Sequence, residues 1–309
     1  MATPRVAVAT SGGRDSTALL HCTLRQAQVL GVEVLALHVH HGLMPQADAW
    51  LAQVRAQARR WGAGFDARWL SGGPGPGDSV EAWARAGRYR ALAEMAQAAQ
   101  CDLVLLAHHR RDQAETWLLQ ALRGAGPAGL SAMPETALRW GITWARPWLN
   151  LPRQAIEAYV HRHRLRHVDD SSNADPRFAR SRLRQQIWPV LQEAFADAET
   201  TLAASARRAQ EAADLAQETA AQDLPQVARD GALCVALWQG LTPARRRNAL
   251  RAWLAQALPR GVAQSLVSRL DAELPRQTSA RWPAGDLQLQ LHCGLLRAVP
   301  CATAQAKAA

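Results

Sequence analysis

Lysine is almost missing from this chain. Of the 36 basic residues among 309, the one lysine is Lys307, near the C-terminus; all others are arginine. This excludes two chemistries, because a Gly-x-x-x-x-Gly-Lys-Ser/Thr nucleotide loop needs a lysine and a Schiff-base enzyme needs one in a pocket. Any phosphate site must instead work through backbone N–H groups, hydroxyls, a metal and arginine. Cysteine gives little more: Cys22, Cys101, Cys234, Cys293 and Cys301 are scattered and contain no Cys-x-x-Cys pair. That argues against zinc, iron–sulfur clusters and a disulfide framework, and for reduced thiols. No apolar run reaches membrane-span length and no leader pattern opens the chain, so the expectation is a soluble, cytoplasmic protein with no membrane partner.

What is present is positive charge, a formal +10 carried by guanidinium groups. Arginine suits phosphate and nucleic acid because its fork matches phosphate oxygens, although a GC-rich coding bias gives the same composition. The length suggests one large domain and one smaller one.

Apolar strand-like runs at 5–10, 32–40, 65–69 and 103–107 alternate with helical patterns at 17–30, 48–61, 80–99 and 113–122. Such alternation predicts an α/β fold, a parallel sheet with helices on both faces. Its ligands would lie beyond the C-terminal ends of the strands. Further helices are expected at 152–163, 193–222, 243–258 and 262–274, with a hairpin across 287–291 and 295–299. The expected organisation is a catalytic domain at 1–191, a linker helix at 192–222, a smaller, mostly helical domain at 223–301 and a disordered tail at 302–309.

Ser11-Gly12-Gly13-Arg14-Asp15-Ser16 follows the first strand and opens a helix. Two glycines, two hydroxyls and a helix N-terminus at one point read as a phosphate-binding loop. An ordinary strand-to-helix turn capped by Asp15 or Ser16 is the plainer alternative. The run His108-His109-Arg110-Arg111-Asp112-Gln113-Ala114-Glu115-Thr116 opens a second helix. Its carboxylates could hold Mg²⁺ beside phosphates and His108 could meet a developing charge, or Asp112 and Glu115 could form only a capping box. His38, His40 and His41 read as the polar edge of a cleft. Arg180 and Arg184 share a helical face and are candidates for RNA phosphate contact. Arg245, Arg246 and Arg247 suggest a solvated basic face, and Trp238, Trp253 and Trp282 suggest core more than base stacking.

Taken in order, several motifs resemble the tRNA(Ile)-lysidine synthase family of N-type ATP pyrophosphatases (the PP-loop superfamily, Rossmann-like). They are Ser11–Ser16, His38-Val-His-His-Gly-Leu43, Arg85-Ala-Gly-Arg-Tyr-Arg-Ala-Leu92, His108–Thr116, Arg123-Gly-Ala-Gly126, Arg146-Pro147, Asp170-Ser-Ser-Asn173 and Arg180-Ser-Arg-Leu-Arg184. The chain looks like a short form. The resemblance implies that ATP adenylates the wobble cytidine of the CAU-anticodon tRNA(Ile), and that free L-lysine then displaces AMP. It implies that Ser11, Gly12, Gly13, Arg14, Asp15, Ser16 and His38 bind the nucleotide and that Asp15 and Asp112 hold Mg²⁺. Asp15, His108, Asp112, Glu115 and Arg123 would serve catalysis, with Glu115 receiving the lysine amine, and Arg180 and Arg184 would face tRNA. A homodimer is left open.

Four positions depart from the family pattern. Arg111 stands where an aspartate is usual, Arg14 where a small or apolar residue is, Ser181 for asparagine and Phe178 for tyrosine. Arg111 reverses the charge beside Asp112 and raises one competing reading, a catalytically inactive tRNA-binding relative. A PP-loop tRNA thiolase is the other, disfavoured by the lack of paired cysteines.

Overall fold

A computed structural model describes residues 3–40, 42, 46–75, 79–168, 177–258 and 261–301. The motif residues His41, Leu43 and Asp170 to Asn173, and the tail at 302–309, lie outside them. The chain divides into two compact units, Met1–Gln210 and Glu211–Ala309.

The first unit runs β1 (Arg5–Ala9), α1 (Arg14–Leu30), β2 (Glu33–His40), α2 (Ala47–Arg60), β3 (Gly64–Trp69), α3 (Val80–Ala98), β4 (Leu103–Leu105) and α4 (Arg110–Leu122). It continues with α5 (Pro127–Leu130), β5 (Thr136–Arg139), β6 (Ile142–Ala145), α6 (Arg153–Arg162), α7 (Ala179–Arg182), a π-helical turn (Leu183–Ile187), α8 (Trp188–Ala194) and α9 (Ala198–Val227). The unit boundary falls inside α9.

The strand order is β3-β2-β1-β4-β6-β5. All neighbours pair in parallel except β5 and β6. Strand alternation sorts the core onto two faces. Ala7, Leu37, Val39 and Val104 pack with Leu92, Met95 and Ala96 of α3, while Val6, Val8, Val34 and Ala36 pack with Leu19 and Leu20 of α1 and Ala58 of α2. Small side chains on β1 let helices approach from both sides. The chain steps outward from β1 to β2 and β3, then returns to place β4 on the other flank. A crevice therefore opens beyond β1 and β4, as expected at such a switch point.

The edge hairpin of β5 and β6 was not anticipated from the sequence. Its two-residue turn, Trp140-Gly141, has φ of 55° and 73°, the paired positive values of the tight turn that matches strand twist. The expected helix at 193–222 is also displaced. Phe195 breaks the path in an extended conformation, and α9 starts only at Ala198. Before it, the π-helical turn leads into α8, where Pro189 lacks the N–H that an α-helical ladder would need at that point.

The second unit carries β7 (Ala228–Arg229), β8 (Ala232–Cys234), α10 (Val235–Gln239), α11 (Pro243–Ala257), α12 (Gln264–Glu273), β9 (Ala280–Ala284), β10 (Leu287–His292) and β11 (Leu295–Pro300). The expected hairpin is present as β10 and β11, but it belongs to a five-stranded antiparallel sheet, β7-β8-β11-β10-β9. Trp238, Trp253 and Trp282 are core residues there, 0%, 3% and 1% exposed, so none is offered to a base. The arginine cluster is paired: Arg245 with the buried Asp223, Arg246 and Arg247 with Asp271.

Candidate active site

At the end of β1 the loop is braced from within. The Ser16 hydroxyl meets the Ser11 N–H and hydroxyl at 3.2 Å and donates to the Gly13 carbonyl at 3.0 Å. Thr17 Oγ1 donates to the Gly12 carbonyl at 3.1 Å, and the Val168 N–H donates to the same oxygen at 2.8 Å. Gly12 is required there: φ is +86°, and a Cβ would stand 2.8 Å from Val54 Cγ2. Gly13 holds the N-cap position of α1 without any side-chain cap. The first-turn N–H groups of Arg14, Asp15 and Ser16, with no acceptor within their own helix, are left for an anion.

These residues open onto a cleft of about 740 Å³, also lined by His38, His40, Trp50, Arg85, Arg88, His108, His109, Asp112, Arg153 and Arg184. Thus Ser11, Gly13, Arg14, Asp15, Ser16, His38, His108 and Asp112 come together on one cleft, and Arg184, expected to face RNA, joins them. Arginine outnumbers acid on these walls, which suits a polyphosphate. Arg14 contacts Asp15 at 3.0 Å and Glu157 at 2.7 Å, and Arg153 shares Glu157 at 2.9 Å.

The capping arrangement on α4 differs from the expected one. His109, not Asp112, is the N-cap, and its N–H donates to Asp112 Oδ2 at 3.0 Å. The His109 ring, 3% exposed, places Nε2 at 3.6 Å from Asp15 Oδ2 and 3.5 Å from Asp112 Oδ2, so it spans the two carboxylates. Burial raises the pKa of Asp15, but His109 and Arg14 together pull it down to about 2. Asp112 is likewise held below its ordinary range: burial opposes, and His109 and Arg184 prevail. Burial takes the His108 ring down to about 3; Asp112 opposes the shift and Arg146 adds to it, so His108 is neutral at pH 7, and its Nδ1 has no hydrogen-bond partner among the described residues. His38 is buried, its Nδ1 at 2.8 Å from the Thr10 carbonyl oxygen, and burial lowers its pKa.

Glu115 does not line the cleft. It is fully buried behind Arg184, whose Nε donates to both its oxygens at 2.8 and 2.9 Å while Nη2 reaches Asp112 Oδ1 at 2.8 Å. Arg180 donates to Thr116 Oγ1 at 2.6 Å and lies 3.8 Å from Glu115. Both arginines expected to face RNA thus rest on acidic or polar groups of α4. Arg123 is not brought to the cleft; it is exposed at the far end of α4, roughly 16 Å along the axis from Asp112 at helical rise. Arg111 turns away as well, onto Glu199, Gln192 and the Trp188 ring. Its charge is therefore spent outside the cleft.

Arg85, Arg88, Trp50 and His109 were not given roles from the sequence. The 85–92 motif carried the signal for the first two, since residues three apart on α3 share a face. Among the described residues no three potential metal ligands cluster. An all-protein cage is thus absent there, but Mg²⁺ needs only one or two carboxylates beside phosphate oxygens, and Asp15 and Asp112 fit that requirement.

Residues 1–191 match the PP-loop domain family. A tRNA(Ile)-lysidine synthase of Ralstonia nicotianae is 46% identical over 273 residues, covering 88% of this chain and 59% of that protein. One of Bordetella bronchiseptica is 41% identical over 258 residues, covering 81% and 75%. The chain belongs to the tRNA(Ile)-lysidine synthase family. It spans little more than half the length of the Ralstonia lysidine synthase and three quarters of the Bordetella one. A solved U34-tRNA thiolase from Methanococcus maripaludis superposes with a TM-score of 0.57 at 13% identity, over 68% of this chain and 74% of the other. That likeness concerns the fold alone.

Proposed function

We propose that this chain joins free L-lysine to C2 of the wobble cytidine of a CAU-anticodon tRNA(Ile) at the expense of ATP, in the bacterial cytoplasm. The observation that carries the reading is the meeting, in one arginine-lined cleft, of an uncapped phosphate loop and the His108–Asp112 turn, in a chain of this family. In the first step the cytidine C2 oxygen attacks the α-phosphate and pyrophosphate leaves. Ser11, Ser16 and the free N–H groups of the first turn of α1 receive it, and arginines on the cleft walls offset the developing charge. Mg²⁺ held by Asp15 and Asp112 would supply further charge neutralisation when bound. In the second step the lysine amine bonds to C2 as the C2–O bond breaks and AMP departs. Glu115 receives the ammonium, which requires Arg184 to yield one of its contacts, and takes up the proton.

Arg180 and Arg184 are 30% and 33% exposed at their side chains while they rest on α4, and RNA phosphate would take the N–H groups that α4 leaves over. Residues 1–191 would form the catalytic domain, 192–222 a connector and 223–301 a tRNA-recognition domain. The thiolase reading finds less support, because neither cysteine of the first unit, Cys22 or Cys101, lines the cleft. The inactive-relative reading rested on Arg111, which is engaged elsewhere. Release of labelled AMP from ATP, dependent on the tRNA, tests the first step. Asp15→Ala is expected to abolish it with the melting transition still cooperative, and unchanged AMP release would refute the assignment of the loop.

A further inference from the structure

The helical stretch that carries Arg180 and Arg184 lies on α4 along one face, with contact residues four apart. Arg180 meets Thr116, Arg184 meets Asp112 and Glu115, and Trp188 and Gln192 both meet Arg111. Arg111 Nη2 donates to Gln192 Oε1 at 2.8 Å, and its guanidinium stands 4.7 Å over the Trp188 ring.

Arg111 also has a competing partner on its own helix. Glu115 is four residues further along α4, the spacing at which opposite charges pair on a helix surface. That pairing is not made; Arg184 holds Glu115 instead. Beside Gln192 and the Trp188 ring, the one charged group among the described residues that draws Arg111 away is Glu199, 8% exposed at its side chain, with Oε2 in an ion pair at 3.5 Å from Arg111 Nε and Oε1 accepting from Arg110 Nε at 3.0 Å. Glu199 sits in the first turn of the 30-residue α9, where the helix dipole favours a carboxylate.

We propose that Glu199 is a positioning residue: by holding Arg111 off Glu115 it leaves Arg184 as the main cation on that carboxylate, the partner whose contact an incoming ammonium displaces. It offsets the arginine at 111 without touching substrate. The inference rests on the role of Glu115 in lysine recognition proposed above.

The test is a double-mutant cycle on the full chain with two readouts. One is the ¹⁵N resonance of the Arg184 Nε–H, assigned by its loss in Arg184→Lys. The other is KM for lysine, with ATP affinity by calorimetry as the control. In Glu199→Gln, Arg111 turns onto Glu115, the Arg184 resonance moves towards that of a free guanidinium, and the lysine KM rises roughly tenfold while ATP affinity stays within about twofold. Adding Arg111→Met removes the competitor and restores both readouts. An Arg184 resonance unmoved by Glu199→Gln would overturn the proposal, as would a double variant as impaired as Glu199→Gln, since Glu199 would then be packing only. Should Glu199→Gln fail to fold, Glu199→Asp, which withdraws the carboxylate by one methylene, takes its place in the same cycle. A wild-type chain that transfers no lysine refutes the proposed function, while the Arg184 resonance still decides this inference.

Discussion

Gly12→Ala offers a sharp perturbation of the phosphate loop. The residue has φ of +86°, and a Cβ would meet Val54 Cγ2 at 2.8 Å and Val168 Cγ2 at 3.4 Å. Val54 is 1% exposed and has little room to retreat. The left-handed backbone costs a side chain about 1–2 kcal/mol, and an extra methyl in a closed core about 1–3 kcal/mol. The sum, about 2–5 kcal/mol, corresponds to a fall in Tm of roughly 5–15 °C for a unit of this size. Relief of the clash would push Gly12 and its neighbours towards the cleft, so ATP affinity should fall with it. Calorimetry gives Tm and ATP titration gives Kd. Val54→Ala in the Gly12→Ala background removes the closest contact and should recover part of the loss, leaving the backbone cost. A Gly12→Ala variant with wild-type Tm and ATP affinity would refute this account of the loop.

Arg184→Met leaves the buried Glu115 carboxylate without its main partner and should destabilise the protein by about 3–5 kcal/mol in a denaturant titration. Adding Glu115→Gln should restore stability but not lysine transfer, and no recovery would contradict the pairing. The pKa of Asp15 is lowered from 3.8 to about 2, so the stability it contributes is present in full above the unfolded value and is lost as pH falls through the folded one. The Tm difference between wild type and Asp15→Asn should therefore shrink between about pH 4 and about pH 2; a constant difference across that window would contradict the ion pairing of Asp15 with His109 and Arg14.

Most of the sheet was legible because β1 to β4 alternate with helices and because β1, β2 and β4 are built mainly of apolar residues; β3, Gly-Phe-Asp-Ala-Arg-Trp, lies at the sheet edge and is not. The β5–β6 hairpin was not, because Thr136–Arg139 and Ile142–Ala145 are four residues each. The signal that could have found it was the Trp140-Gly141 turn, and Asp230-Gly231 marks β7 and β8 in the same way, with φ of 50° and 73°. The cleft residues were legible where a motif sits at a strand end, as with Ser11 to Ser16 and His108 to Asp112. Partners were not. That Arg184 would rest on Glu115, or Arg111 on Glu199, depends on how distant helices pack, and no local spacing encodes a contact across 69 or 88 residues. Arg123 shows the converse, a motif residue that the helix axis carries away from the cleft.

Lysine transfer itself is read by incorporation of radiolabelled L-lysine into a CAU-anticodon tRNA(Ile) transcript with ATP and Mg²⁺, beside a methionine tRNA. Label is expected in the isoleucine tRNA alone, dependent on ATP and lost in Asp15→Ala. No label, with the tRNA still bound, would contradict lysine transfer.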